Sequence, residues 1–406
     1  MNVTITPSTL IGTVTPPGSK SVLHRALVLG LLSKGTTLLS AVSMSDDIWA
    51  TIHLIEAFGA QVVVDETMRS IQVTGQGMIQ TPTEPIQCAE SGTTYRFAVA
   101  LAMTLLDDVV ITGAPSLMER PIDGFIGLTV DHDIKLLLDE QTLTVKGQLD
   151  ATKNWVVDGS KSSQFVSGLL LGALCFSEPI TIEVLGYLSS AAYVEITTKI
   201  LSEFGVVVSK DDPLFFIERG LLSPRDYRIE VDYSQAAVWQ VAAMFFPQLQ
   251  INLPKQISTQ PDQFMEEFLS INLSRKGFEV DVDATPDIAP LMMLYATQCE
   301  GTSIIRGTAR LRFKESDRVA STLTTLQLFG AASIIRDDEV VIKGPVRLVG
   351  ATVDSYNDHR IVMMATIAAL LATGPSTIVN AQAITKSYPR FFDDFKQLGG
   401  QYEISS

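Results

Sequence analysis

An amphipathic segment that ends in Phe-Gly and runs into two short strands joined by a turn occurs three times in this chain. The copies are IEAFGAQVVVDETMRSIQVTG at 55–75, ILSEFGVVVSKDDPLFFIERG at 200–220 and LQLFGAASIIRDDEVVIKG at 326–344. Weaker copies run through Gly277 and Gly399, and a degraded one lies at 133–147. Apolar residues keep a helical period before each Phe-Gly: Ile48, Ile52 and Ile55; Tyr193, Ile196 and Ile200; Val319, Leu323 and Leu326. Gly59, Gly205 and Gly330 stand where a helix needs a left-handed residue to stop. Ser45 before Asp46 and Asp47 reads as an N-cap with an acidic first turn. Turns such as Lys210-Asp211-Asp212-Pro213 and Asp337-Asp338 pair the strands that follow. A helix and a hairpin cannot bury their own apolar face, so such units must pack together. Six units in one chain predict a repeat-built α/β architecture, three units to a domain.

The length of 406 residues agrees with two domains of about 200 residues. Any connection between them must be short, because no low-complexity linker interrupts the chain, and residues 228–231 are the expected place. A composition of 46% hydrophobic and 18% charged residues belongs to a folding globular protein. The N-terminal residues have neither a basic start nor a continuous apolar run, so no secretory signal is expected. The longest apolar runs fall short of the roughly 18 residues that cross a bilayer. Cys88, Cys175 and Cys299 fit neither a zinc pattern nor a disulfide framework, which points to a reducing cytoplasm. A net charge of −15 makes nucleic acid and anionic membranes poor partners. If the chain binds small anions, its cations must be gathered in one place.

Several motifs supply that gathering. Pro17-Gly18-Ser19-Lys20-Ser21, with Arg25 beyond, predicts a helix opening near Ser21 whose positive end faces an anion. It is not a P-loop, because Ser19 separates the glycine from the lysine. A capped helix with a solvated lysine is the plain alternative. Glu90-Ser91-Gly92-Thr93-Thr94 with Arg96 opens a second apolar helix, with Ser91 or Thr93 as the cap. Arg120-Pro121-Ile122 and Ser160-Lys161-Ser162-Ser163-Gln164 add a further cation and hydrogen-bonding side chains. In Arg310-Leu311-Arg312-Phe313-Lys314-Glu315-Ser316-Asp317-Arg318, a helix beginning near Lys314 would put Lys314 and Arg318 on one face. Glu315 between them could be held for proton transfer. Tyr356-Asn357-Asp358-His359-Arg360 abuts a very apolar run, and Lys386-Ser387-Tyr388-Pro389 lies near the C-terminus.

Taken in order, these motifs resemble the 5-enolpyruvylshikimate-3-phosphate synthases, the 3-phosphoshikimate 1-carboxyvinyltransferases. The resemblance runs from about residue 10 to residue 399 through PGSKSxxxR, SGTTxR, ERPI, SSQF, LRFKESDR, NDHR and KSYP. It implies a two-domain inside-out α/β barrel built from six βαβαββ-like repeats, three per domain. One domain would span 19–229, the other 1–18 with 230–406, with substrates in the cleft between them. It implies a cytoplasmic monomer acting on 3-phosphoshikimate and phosphoenolpyruvate. It assigns 3-phosphoshikimate to Lys20, Ser21, Arg25, Ser162, Ser163, Gln164, Ser190, Tyr193, Asp287 and Lys314. Phosphoenolpyruvate goes to Lys20, Gly92, Arg120, Gln164, Arg318, His359, Arg360 and Lys386, with Arg96 lining the site. Asp287, in TPDIAP, and Glu315 match the catalytic carboxylates.

The implied chemistry makes sense of this inventory. The 5-hydroxyl loses a proton as it attacks C2 of phosphoenolpyruvate, and C3 gains one. Asp287 is the expected base and Glu315 the expected donor, with Lys20 assisting proton transfer and phosphate departure. No metal or organic cofactor is needed, since the leaving group is already phosphate and arginines neutralise it. The chain departs from the family pattern at Glu90, at Ala191 and Ala192, and at Arg310. Two rivals remain to be weighed. A UDP-N-acetylglucosamine enolpyruvyl transferase would need a loop cysteine that GAPSLMERPID lacks. A non-catalytic anion-binding paralogue would keep the cations but could lose the carboxylates.

Overall fold

The Phe-Gly repeats share one local structure in the computed structural model, which describes residues 1–405. Helices Asp46–Ala57, Ala191–Glu203 and Arg318–Leu328 stop at Phe58, Phe204 and Phe329. The next residues, Gly59, Gly205 and Gly330, have φ of 102°, 89° and 97°, a region that glycine enters without strain. An antiparallel hairpin follows each: Gln61–Asp65 with Ser70–Gln76, Val207–Asp211 with Leu214–Glu218, and Ser333–Arg336 with Glu339–Gly344. Residues 133–147 form the same hairpin, Lys135–Leu138 with Thr142–Lys146. Through Gly399 the hairpin is closed by a distant segment, since Gln401–Ser405 pairs with Asn2–Thr6. The copy at Gly277 departs from the pattern. Its strand Glu279–Asp281 runs parallel to Gly301–Arg306, and no hairpin follows. Ser45 stands at the N-cap of its helix but makes no capping bond through its side chain.

The chain divides into two compact units, Gly18–Glu230 and Met1–Pro17 together with the residues from Val231 onward. Gly18–Glu230 holds three four-stranded sheets, each a parallel pair extended by one antiparallel hairpin. Helices Lys20–Leu32, Gly92–Ala102 and Ser163–Gly172 are buried on almost every side. A helix apolar all round belongs in an interior, and these three form the centre of the unit's core. Gly168 lets two of them touch, since a Cβ there would meet that of Ala100 at 3.0 Å.

The second unit has its own core, around the buried helices Tyr233–Ala243, Ala289–Ala296 and His359–Leu371. Two of its sheets have four strands, and the third is a parallel pair of Gly12–Val14 with Leu249–Ile251. The mixed α/β class holds in both units. Every sheet stays open, and none closes into a barrel among the described residues. No described helix is long and apolar enough to cross a membrane.

Candidate functional site

In Gly18–Glu230, five helices bring their first two turns together through a closed circuit of side chains. Lys20, the first residue of its helix, pairs with Asp47 at 2.5 Å. His24 Nδ1 lies 2.6 Å from Thr51 Oγ1, which lies 2.6 Å from Thr94 Oγ1. Thr94 in turn donates to Ser91 Oγ, the cap of helix Gly92–Ala102. From there Gln164 joins the next helix, accepting from Arg96 Nη1 at 2.6 Å and donating to Thr93 Oγ1 at 2.9 Å. Arg25 closes the circuit: it donates to Ser167 Oγ, to Thr197 Oγ1 and to the main-chain oxygens of Ser21 and Tyr193. Helix N-termini carry partial positive charge, and three cations, Lys20, Arg25 and Arg96, stand among these. Burial neutralises His24, and Lys20 and Arg25 reinforce the effect.

The helix of Lys20 begins one residue earlier than expected, with Ser19 as its cap, accepting from Val22 N. Ser162 caps helix Ser163–Gly172 by accepting from Gln164 N at 3.2 Å. Ser190 precedes helix Ala191–Glu203 in a left-handed conformation, φ 51°, and its carbonyl accepts from Tyr193 N. Gly92 lies against two guanidiniums, since a Cβ there would meet Arg120 Nη1 at 2.7 Å and Arg96 Nη1 at 3.2 Å. Arg25 differs from a simple ligand. Four of its five donor directions are used within the protein, and burial brings its pKa down to about 10 against the pull of Tyr193.

The second unit gathers carboxylates around two buried guanidiniums. Arg318, 1% exposed, donates to Asp287 Oδ1 at 2.7 Å, Glu315 Oε2 at 2.5 Å and Asp358 Oδ2 at 2.8 Å. Arg360 donates to Asp287 Oδ2 at 3.1 Å and to the carbonyl of Ser234 at 2.9 Å. Lys314 Nζ stands 3.9 Å from Asp287 Oδ1. Lys386 donates to the carbonyl of Asn357 at 2.7 Å, in the turn before His359. Burial alone would raise the pKa of Asp287, but Arg360, Arg318 and Lys314 outweigh it and hold the carboxyl well below its usual range. Burial also brings Lys314 down to about 8, although Asp287 opposes the shift. Arg310, one of the departures, donates to the carbonyl of Asp283 at 2.8 Å and anchors the segment leading to Asp287.

One expectation fails here. Lys314 and Arg318 do not share a helix face, because Ala309–Phe313 is a 3-10 turn, Lys314 is extended and the helix starts at Arg318. The cause is Asp317, whose side chain accepts from Val319 N and Ala320 N and sets the cap there. Sequence reasoning also passed over Asp358. It is fully buried, pairs with Arg318, accepts from Ser316 Oγ and caps helix His359–Leu371 through Arg360 N. Its place before an apolar run was the available signal. Asp47 offered none, since its partner Lys20 lies 27 residues upstream.

The chain matches the family model of EPSP synthase (3-phosphoshikimate 1-carboxyvinyltransferase) over residues 5–395. It is 33% identical over 421 aligned residues to the 3-phosphoshikimate 1-carboxyvinyltransferase of Clostridium kluyveri, covering 99% of this chain and 98% of that one. To the protein of the same name in Clostridium acetobutylicum it is 32% identical, covering 98% and 97%. Among solved structures, EPSP synthase from Acinetobacter baumannii superposes with a TM-score of 0.83 at 22% identity over all of both chains. The enolpyruvyl transferase NikO from Streptomyces tendae gives 0.74 at 15% identity over 99% and 98%. These two likenesses concern the fold.

Proposed function

We infer the activity from a premise of descent: this chain belongs to the EPSP synthase family. It transfers the enolpyruvyl group of phosphoenolpyruvate to the 5-hydroxyl of 3-phosphoshikimate and releases phosphate, in the shikimate pathway to the aromatic amino acids. The residue roles are our proposal. The observation that carries them is the setting of Asp287, one carboxylate bridging Arg318 and Arg360 with Lys314 beside it.

Asp287 accepts the proton of the 5-hydroxyl as its oxygen bonds to C2, and Glu315 delivers a proton to C3. The tetrahedral adduct then returns a C3 proton to the Glu315 carboxylate as the C2–O bond to phosphate breaks, with Lys20 assisting the departing phosphate. Paired to two guanidiniums, Asp287 is a weak base. The carboxylate and phosphate of phosphoenolpyruvate compete for the same guanidiniums, and engaging them restores basicity to Asp287. Lys20, Ser21, Arg25, Ser162, Ser163, Gln164, Ser190, Tyr193 and Lys314 serve 3-phosphoshikimate. Gly92, Arg120, His359 and Lys386 serve phosphoenolpyruvate, with Lys20 and Gln164 shared between the two substrates. We further place the enzyme in the cytoplasm, as a monomer. Phosphate release by the purified protein should require both substrates together. Tight binding of both without release would favour the non-catalytic paralogue.

Two further results are expected. kcat/KM for 3-phosphoshikimate should fall as pH rises past about 8, where Lys314 of the free enzyme loses its proton. Lys314→Arg should keep its charge and lose this limb; an unchanged limb would assign it to another group. Gly92→Ala should raise KM for phosphoenolpyruvate about tenfold, the value of one charge-assisted contact. The new methyl would push the far end of Arg120 and, by a few tenths of an ångström, that of Arg96, both ends of flexible side chains, so stability should fall by no more than about 1 kcal/mol. An unchanged KM would remove Arg120 from the site.

A further inference from the structure

The turn Gln260-Pro261-Asp262-Gln263 grips three of the residues that open the Val231 segment, Val231, Tyr233 and Ser234. Gln260 accepts from Tyr233 N at 3.1 Å and donates to the carbonyl of Val231 at 2.7 Å. Gln263 donates to the hydroxyl of Tyr233 at 3.2 Å, and Ser234 Oγ donates to Asp262 Oδ2. The grip matters because the carbonyl of Ser234 is the acceptor for Arg360 Nη1, while Nη2 of the same guanidinium meets Asp287. We propose that Asp262 is a positioning residue: through Ser234 it fixes the acceptor that orients Arg360, and it couples anion binding at that guanidinium to the protonation of a buried carboxyl.

A carboxylate is an expensive way to hold a serine. Asp262 is 1% exposed, and its Oδ1 makes no hydrogen bond. Bare and ionised, that oxygen would carry a large desolvation cost, whereas a neutral carboxyl carries far less. Three charged groups act on Asp262. They are Asp287 from the segment before helix Ala289–Ala296, Arg360 on helix His359–Leu371, and Asp232 at the cap of helix Tyr233–Ala243. Burial, then repulsion by Asp287, with Asp232 adding to it, raise Asp262 to about 7; the Ser234 hydrogen bond and Arg360 oppose the shift. Arg360 is therefore the only one of the three charges that favours ionised Asp262. An anion that engages Arg360 weakens this support, so Asp262 takes up a proton. By reciprocity, protonated Asp262 favours the anion and ionised Asp262 disfavours it. The inference rests on reading Arg360 as a phosphoenolpyruvate residue.

The test is steady-state kinetics from pH 6 to 8.5 on wild type, Asp262→Asn and Ser234→Ala. In wild type KM for phosphoenolpyruvate should rise about fivefold through the neutral range while kcat stays level, a modest coupling between sites. Asp262→Asn should hold KM flat over that range. Ser234→Ala keeps the carbonyl that receives Arg360 but removes the bond that favours ionised Asp262, so its rise should move to higher pH. An Asp262→Asn enzyme that keeps the wild-type curve, even with lowered thermal stability, overturns the proposal. If that variant does not fold, an unmoved curve for Ser234→Ala overturns it. Calorimetry with phosphoenolpyruvate alone, in buffers of different ionisation enthalpy, separates this proposal from the activity. Greater proton uptake by wild type than by Asp262→Asn supports it even if neither protein turns over, and equal uptake overturns it.

Discussion

Arg318→Ala is expected to destabilise the protein by about 3–5 kcal/mol, because it strips the cation from a cluster of buried and half-buried carboxylates. Asp358 is fully buried and Asp287 and Glu315 are partly so, and all three meet this one guanidinium. Urea unfolding at neutral pH would measure the loss, and a value under about 1 kcal/mol would put the pair among ordinary surface contacts. The pH dependence has a definite sign. Asp287 is held below its usual range, so its contribution is present above that range and disappears as the carboxyl protonates in acid. The gap between wild type and Arg318→Ala should therefore narrow as pH falls below about 4. Arg318→Lys should fall between the two. It restores the charge, but a single ammonium cannot reproduce the fork that serves three partners.

Asp287→Asn is expected to lower kcat by about 10²–10⁴-fold, the usual worth of a positioned general base. Binding of 3-phosphoshikimate should survive, since the amide keeps the shape of the carboxyl. Its NH2 group would face one of the two guanidinium donors that now meet Asp287, so a modest fall in thermal stability should accompany the loss. Calorimetric titration with 3-phosphoshikimate separates lost chemistry from lost binding. Turnover close to wild type would place the base elsewhere, with Glu315 the next group to replace.

The sequence was most legible where one residue type answers one backbone demand. Gly59, Gly205 and Gly330 mark helix ends because their φ suits no other residue as well, and the hairpins beyond them follow. It was least legible where two local signals compete. Lys314 could have opened a helix, but Asp317 caps one more strongly, so the helix starts at Arg318. Long-range pairs were invisible. Nothing near Asp47 announces Lys20, and nothing near Asp262 announces Ser234 or Arg360. Arg25 was expected as a ligand contact, yet most of its donors tie helices together, which no local spacing encodes. The cluster around Arg318 became legible through the ordered family motifs, and only coordinates revealed its dependence on Asp358.

The strand Asn2–Thr6 lies between Ser376–Val379 and Gln401–Ser405. On the ribosome this strand emerges well before either neighbour, since both of them lie beyond residue 375. Gly18–Glu230 is contiguous and can condense while synthesis continues, whereas the other unit must keep Asn2–Thr6 waiting until its partner strands have been made. A nascent chain stalled before residue 376 should therefore protect 18–230 from protease and leave residues 2–6 open to cleavage.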